Sequence, residues 1–583
     1  MAGAGSTIAL STYFDAGDPR FLAEVEKSDA ALVLGNLALR WLGDRRPELR
    51  RMLLEYVDGG LERPNHQPLV KRLFKGAEAA RDHELMAHLL VACDRLCRRQ
   101  LKTVTRWDWT TRSASIEQHL KQDKRIPRGR APTAGMAPEN GQAPRPKRGR
   151  HFDSFTYSTR RYLVRRAWRY LRELSAQDPD AYLLAASTAL QLYQDEHLQT
   201  PTQLLDSWGL VHLLYHHSPL LEPARAGWTV HEGQDLAGLQ PAPFRPELWA
   251  RSPEPLFDLL VRARARTVRL FAMEQLRSAH AAALQQLNFE VVRRILASHD
   301  PEVQTFAASL LEHASGVALL PVEEWLKLLQ IQNPAALPVL CEQFARYVAP
   351  DRVSNPQLLA LATSPAGPVA SLAVEWLAAR PIKDVTDLEA RLALVRIPAQ
   401  VARRAAIQHL LAVGQALPYI QAKHLRELLD APFSDVRDAG LEWMAKEPRF
   451  AKDLSLWAAL SETPYDDVRA VFLGRLSEMQ GNLPSGSILR VWTSVILAVH
   501  RGNRAKAHAV RQVAERVVSS PAQAQELLPL LQVGLRSLRA PERRGALAAL
   551  TRAAFLAPSF RALLGVALPE LKLEPLALDG RSP

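Results

Sequence analysis

SDVRDAGLEWM, residues 434–444, and YDDVRAVFLGRL, residues 465–476, share one pattern: Asp, Val and Arg in a row, then a large apolar residue eight positions after the valine. Between those two points, at +4, stands Gly440 in the first stretch and Phe472 in the second. Working outward, the pattern returns in RTVRLFAMEQL (Val268, Ala272, Leu276), DPEVQTFAASLLE (Val303, Ala307, Leu311) and GPVASLAVEWL (Val369, Ala373, Leu377). It returns again in PAQVARRAAIQHLL, with Val401, Ala405 and His409 or Leu410, and in a degenerate copy at Leu337 in NPAALPVLCEQFARYV. The anchors then step by 35, 34, 32, 32, 35 and 32 residues. A period this regular marks stacked helical hairpins rather than several unrelated domains.

The offsets have a physical reason. Positions 0, +4 and +8 lie on one face of a helix, where a small residue at +4 lets a neighbouring helix approach and larger residues on either side fill the core. Asp300-Pro301, Ser434-Asp435 and the run Pro464 to Asp467 precede their anchors and suit helix starts. No single hairpin buries its apolar face alone, so the pattern requires neighbours.

Asp435-Val436-Arg437 and Asp467-Val468-Arg469, with apolar residues downstream, resemble the second helix of HEAT repeats, in the armadillo-like superfamily of helical solenoids. The resemblance is clearest from Arg266 to Gln480 and extends to APERRGALAALTRAAF near Pro541 and DRRPELRRMLLEYV near Pro47. Val369 and Val401 lack the following Arg, and Phe472 replaces the small residue. The resemblance implies an all-α, right-handed superhelical solenoid, to which the composition adds one disordered basic linker and one Pro/Gly-rich loop excursion. It also implies scaffolding, protein binding along the array and, in some members, nucleic-acid binding. Fold alone does not decide among these.

The expected organisation is a helical region over 1–120, a Pro/Gly/Arg linker over 121–150, and a basic helix with irregular helices and a long loop over 151–260. HEAT-like repeats follow over 261–480, and a C-terminal helical region over 481–583. The long loop, from Glu222 to Leu256, holds Trp228, Phe244 and Trp249, and either carries contacts or covers an edge.

Charge is concentrated in one place. The chain of 583 residues carries 74 Lys+Arg and 61 Asp+Glu, a formal net charge of +13. Between Arg95 and Arg172 lie 21 basic and 5 acidic residues, a local +16, so the rest of the chain is slightly acidic. This asymmetry points to an anionic partner at one segment. Trp107 and Trp109 sit among Arg106 and Arg112, and Arg145, Lys147, Arg148 and Arg150 close the linker. In YSTRRYLVRRAWRYLREL the period becomes helical. At about 100° per residue, Leu163, Val164, Ala167, Tyr170, Leu171 and Leu174 gather on one side and Arg161, Arg165, Arg166, Arg169 and Arg172 on the other, with Tyr162 beside them. Guanidinium forks suit phosphates, and an adjacent aromatic ring offers a stacking surface for an unpaired base. An acidic protein surface, internal ion pairs or an anionic membrane face are the competing partners for the same stripe.

The sequence has no P-loop, no dinucleotide-binding glycine motif, no nucleophile elbow and no H-E-x-x-H. His83, His88, Cys93 and Cys97 resemble a ligand series but would point to about 0°, 140°, 280° and 320° on one helix, so they do not converge on a metal. His212 and His216 have the spacing of a helical metal pair but lack an evident third ligand. No cofactor is expected. Some DNA glycosylases that act on alkylated purines are built of HEAT-like repeats, and Asp438 and Trp443 are the residues that raise that alternative; they suit a surface and a core position better.

Three cysteines in 583 residues indicate a reducing interior. With no apolar run of spanning length and no secretory leader pattern, the cytoplasm is the expected compartment and a membrane is not an expected partner. The sequence therefore predicts a non-catalytic HEAT-like scaffold. Its basic segment binds nucleic acid, DNA or RNA, or alternatively an acidic protein surface.

Overall fold

The computed structural model describes residues 3–96, 99–110, 112–124, 126, 155–224, 227–231, 234–417, 420–451, 453, 456, 463–479, 485–497 and 503–573. They fall into two compact units, Met1–Leu320 and Pro321–Pro583. Both are helical, with helices packed against the next and the next but one along the chain. Among the described residues, no helix is long and apolar enough to cross a membrane.

The first unit begins with six helices, from Gly3–Ala16 to His83–Asp94. Their apolar faces meet around Phe14, Phe21, Trp41 and Tyr56, whose rings touch in series. The expected helical assignment of 1–120 fails over its last part. Residues Arg99–Asp108 (β1) and Ser113–Gln122 (β2) form an antiparallel hairpin with Arg99 opposite Gln122 and Asp108 opposite Ser113. Alternation through Leu101, Thr103, Thr105 and Trp107, rich in β-branched and aromatic residues, is the strand signal that the basic composition masked. The linker residues 127–150, including Arg145, Lys147, Arg148 and Arg150, lie outside the described residues.

Beyond the hairpin come the basic helix Tyr157–Gln177 and its antiparallel neighbour Pro179–Leu192. The short helices Pro201–Asp206 and Trp208–Tyr215 follow, then a small second hairpin of Leu221–Pro223 (β3) and Trp228–Val230 (β4). The long loop thus includes a short strand excursion, and its aromatics turn inward: Trp228 and Trp249 are buried.

The repeat anchors are buried. In the first unit these are Val268, Ala272 and Leu276, then Val303, Ala307 and Leu311. In the second they are Leu337, then Val369, Ala373 and Leu377, then Val436 and Met444, then Val468. The small residue at +4 has a visible cause: a Cβ on Gly440 would come within 3.1 Å of Leu428 and Leu429 on the preceding helix Ala422–Leu429. One anchor shifts. Val401 is 75% exposed, and Ala402, Ala406 and Leu410 occupy the buried positions instead. With Ala402 as anchor the repeat steps on either side become 33 and 34 residues, and the copy regains its following Arg as Arg403.

That Arg makes the same contacts from repeat to repeat. Its Nη1 donates to a carbonyl six residues earlier: Arg269 to Ala263 at 3.1 Å, Arg403 to Ile397 at 2.8 Å, Arg437 to Ala431 at 2.9 Å and Arg469 to Thr463 at 3.1 Å. Gln304 makes the equivalent bond to Ser298 at 2.8 Å. The rest of the guanidinium reaches the Asp at the start of the next repeat helix: Arg269 to Asp300 at 2.7 Å, Arg403 to Asp435 at 3.1 Å and Arg437 to Asp467 at 2.7 Å. Arg50 and Asp82 form a pair of the same spacing near the N-terminus. Arg403 and Arg437 also lie over the rings of Phe433 and Tyr465, at 3.7 and 4.0 Å. Asp300 caps its helix as expected, accepting from Glu302 and Val303. Asp435 and Asp467 instead stand within the first turn, each accepting from the next amide while its other bonds go to the preceding repeat's Arg.

Candidate functional site: the basic helix and its flanking hairpin

The basic helix is started by Thr156, whose Oγ1 accepts from the Thr159 amide at 3.3 Å. Leu163, Val164, Ala167, Tyr170, Leu171 and Leu174 are all buried, as the helical period requires. Gln67 donates to Thr159 at 2.8 Å, and the His83 Nδ1 and Tyr170 hydroxyl share a hydrogen bond of 2.8 Å. These bonds join the helix to Gln67–Ala79 and His83–Asp94.

The arginines of this helix divide into two groups. Arg160 is buried and ion-paired with Glu62, and Arg166 pairs with Glu78 while also donating to the Tyr162 hydroxyl. Burial opposes the charge of Arg166, but those partners outweigh it and raise its pKa. Arg166 is thus drawn into the helix packing. Arg165, Arg169 and Arg172 are exposed and Arg161 half-buried. No carboxylate among the described residues pairs with Arg161, Arg169 or Arg172. Arg165 lies 5.4 Å above the Trp208 ring.

Trp208 opens a cluster that the sequence did not reveal as such. The Trp168 ring stacks on His212 at 4.2 Å and 3°, Trp208 and Trp228 approach to 6.0 Å, and Phe244 packs edge-on against Trp168 and His216. The long loop therefore covers this edge with Trp228 and Phe244. His212 and His216 meet through their Nδ1 atoms at 2.6 Å, so one ring donates and the other accepts. Burial, with the positive surroundings of His216 and Arg172, lowers the His212 pKa to about 2; burial, then His217, lowers that of His216 to about 4. Both rings are neutral near pH 7. Among the described residues no group of three His, Cys, Asp or Glu side chains is placed to hold a metal ion. Cys93 is buried and in no disulfide among the described residues, and Cys97 lies outside them.

The hairpin springs from the same neighbourhood. The Arg99 amide donates to Asp206 Oδ2 at 2.7 Å, its Nε bonds the other carboxylate oxygen, and its Nη2 donates to the Leu205 carbonyl at 2.8 Å. Both partners are buried. A Cβ on Gly227 would fall 2.5 Å from the Arg99 guanidinium, so a side chain there would push that group from its place. From this base the ten-residue strands extend about 30 Å. At the far end Trp107 is 49% and Trp109 84% exposed, the two rings meeting edge to face at 6.1 Å, with Arg112 exposed in the turn. Arg106 lies in β1 opposite Ser115; its side chain is outside the described residues.

Arg-to-Asp bonds recurring at 30 to 32 residues in both units decide the class of the array. The repeats resemble HEAT repeats. No family model matches the chain, and no curated protein matches it. Among known structures, a chain in a homology model of the AP-3 complex is 11% identical over 98% of this chain and 100% of that one, with a TM-score of 0.27. Kap121p is 15% identical over 71% of this chain and 49% of its own, with a TM-score of 0.23. The UNC-45 chaperone is 10% identical over 97% and 72%, with a TM-score of 0.19. The matched region is about half the length of Kap121p. Likenesses at this level carry no argument about function, and the HEAT-like character rests on the chain's own anchors and bonds. Asp438 is exposed and Trp443 buried against Phe450, so the pair raised by the glycosylase alternative does not form one pocket.

Proposed function

We propose that the protein is a non-catalytic HEAT-like scaffold of the cytoplasm whose first unit binds nucleic acid through the basic helix, with the Trp107/Trp109 tip of the hairpin offering a stacking surface. The observation that supports this most is the row Arg161, Arg169 and Arg172, three guanidinium groups on one helix face with no carboxylate partner among the described residues. Backbone phosphates fit such a row without sequence readout. Arg165 contributes a cation already seated on an aromatic ring, and an unpaired base fits the exposed indoles.

An electrophoretic shift series tests this with the intact protein and an Arg161→Glu/Arg169→Glu/Arg172→Glu variant. Binding of a generic oligonucleotide should weaken about a hundredfold between about 50 and 200 mM salt and vanish in the variant. Absence of a shift at low salt for the unaltered protein sinks the reading. An acidic protein surface is the second reading. It draws on Arg160 and Arg166 of the same helix, whose partners are already carboxylates.

A further inference from the structure

The helix Ala540–Leu556 in the second unit is built inside out. Its buried face is mostly small, Ala546, Ala549, Leu550, Ala553 and Ala554, and packs on the helices Asn503–Ser519, Ala524–Leu535 and Pro558–Ala567. Larger apolar side chains point the other way: Leu547 is 43% and Phe555 66% exposed. With Arg544 at 0°, Leu547, Ala548, Thr551, Arg552 and Phe555 fall between about −60° and 80°, one continuous seam three turns long. Together these six residues line a shallow groove.

The charge around the groove is one-sided. From Arg536 to Arg561 the chain has six Arg and one Glu. That Glu, Glu542, is engaged by Lys506, Arg539 and Ser537. Arg543 donates to the Ser537 and Leu538 carbonyls, whereas Arg544 and Arg552, at the head and edge of the seam, pair with no carboxylate among the described residues.

We propose that this seam docks an amphipathic helix of a partner protein that carries an apolar ridge flanked by Asp or Glu. Leu547 and Phe555, eight residues apart, are anchors for a ridge at i, i+3/i+4 and i+7, and Arg544 and Arg552 meet its acidic flanks. A second copy of this face would bring like charges together. Two large side chains are too small a wedge to hold a bilayer, and phosphates would lie over apolar rings. The inference stands apart from the nucleic-acid reading, which concerns the other unit.

Fluorescence polarisation of the intact protein tests it with two synthetic helical peptides of about 20 residues. Both carry the same leucine ridge, one flanked by Glu and the other by Lys. The Glu peptide should bind at least about tenfold more tightly than the Lys peptide. Leu547→Ser/Phe555→Ser and Arg544→Glu/Arg552→Glu should each weaken it about tenfold or more. All four positions are exposed, so melting temperature and oligonucleotide binding stay unchanged in both variants. Equal binding of the two peptides, or unaltered binding by either variant, overturns the proposal. So does self-association or binding to phosphatidylserine vesicles that Leu547→Ser/Phe555→Ser abolishes while the Glu peptide fails to bind, since the seam then belongs to that occupant.

Discussion

Arg437 joins two consecutive repeats: its guanidinium is 2.7 Å from the Asp467 carboxylate at the start of the next repeat helix, donates at 2.9 Å to the Ala431 carbonyl behind it, and lies 4.0 Å over the Tyr465 ring. Arg403 does the same with Asp435, Ile397 and Phe433. Each hairpin is thereby held to the next by a polar bond as well as by apolar packing, which sets the spacing of the array in the second unit.

Removing the acid from one such pair leaves a mostly buried guanidinium short of a partner. Asp467→Ala should cost about 1–3 kcal/mol, less than a fully buried pair because Asp467 keeps some solvent. Thermal unfolding checks this, and a double-mutant cycle with Arg437→Ala should return a coupling of about 1 kcal/mol or more.

Arg403→Lys keeps the charge but loses the planar fork that bonds Asp435 and covers Phe433. A loss of about 1–2 kcal/mol is expected, visible as a lower urea midpoint with unchanged slope. Stability equal to the parent would mean that charge alone is at work.

Asp206→Ala strands Arg99 in a buried site at the base of the first hairpin. The expected cost is about 3–5 kcal/mol for the first unit, with faster proteolytic cleavage within 99–122 than elsewhere. Asp206→Asn retains a carbonyl acceptor and should recover part of it.

The His212/His216 pair makes the first unit acid-sensitive. Both folded pKa values lie below the ordinary value of 6.5, at about 2 and about 4, so the unfolded chain binds protons first. The stability due to neutral rings is fully present above pH 6.5 and is lost progressively as pH falls toward 4 and below. In His212→Gln/His216→Gln the decline of melting temperature from pH 7 to 4.5 should be shallower than in the parent.

Trp109→Ala should leave melting unchanged, since the ring is 84% exposed, yet weaken a single-stranded oligonucleotide by about 1–3 kcal/mol if a base stacks there. The loss should be smaller for a duplex, whose bases are already stacked.

Much of this protein was legible as periodicity. Val268, Val303, Val369, Val436 and Val468 are buried because a residue at the same place in each repeat meets the same neighbour, and repetition multiplies a weak local signal. Within one copy that signal is coarse. Val401 and Ala402 are both apolar, and only packing shows that Ala402 faces the core. The basic helix was also readable, since its faces follow from the helical period.

The helical class, the repeat length and the position of the charge follow from residues near one another along the chain, so they can be read without the fold. Tertiary structure decided which charges remain available. Arg161 and Arg166 look alike in sequence, but a helix nearly ninety residues earlier brings Glu78 to Arg166 and no carboxylate to Arg161. It likewise set Asp206 under Arg99, across 107 residues, and joined His212 to Trp168 and Trp228. Such pairings rest on chain segments meeting through packing of their other faces, and local spacing carries no record of them.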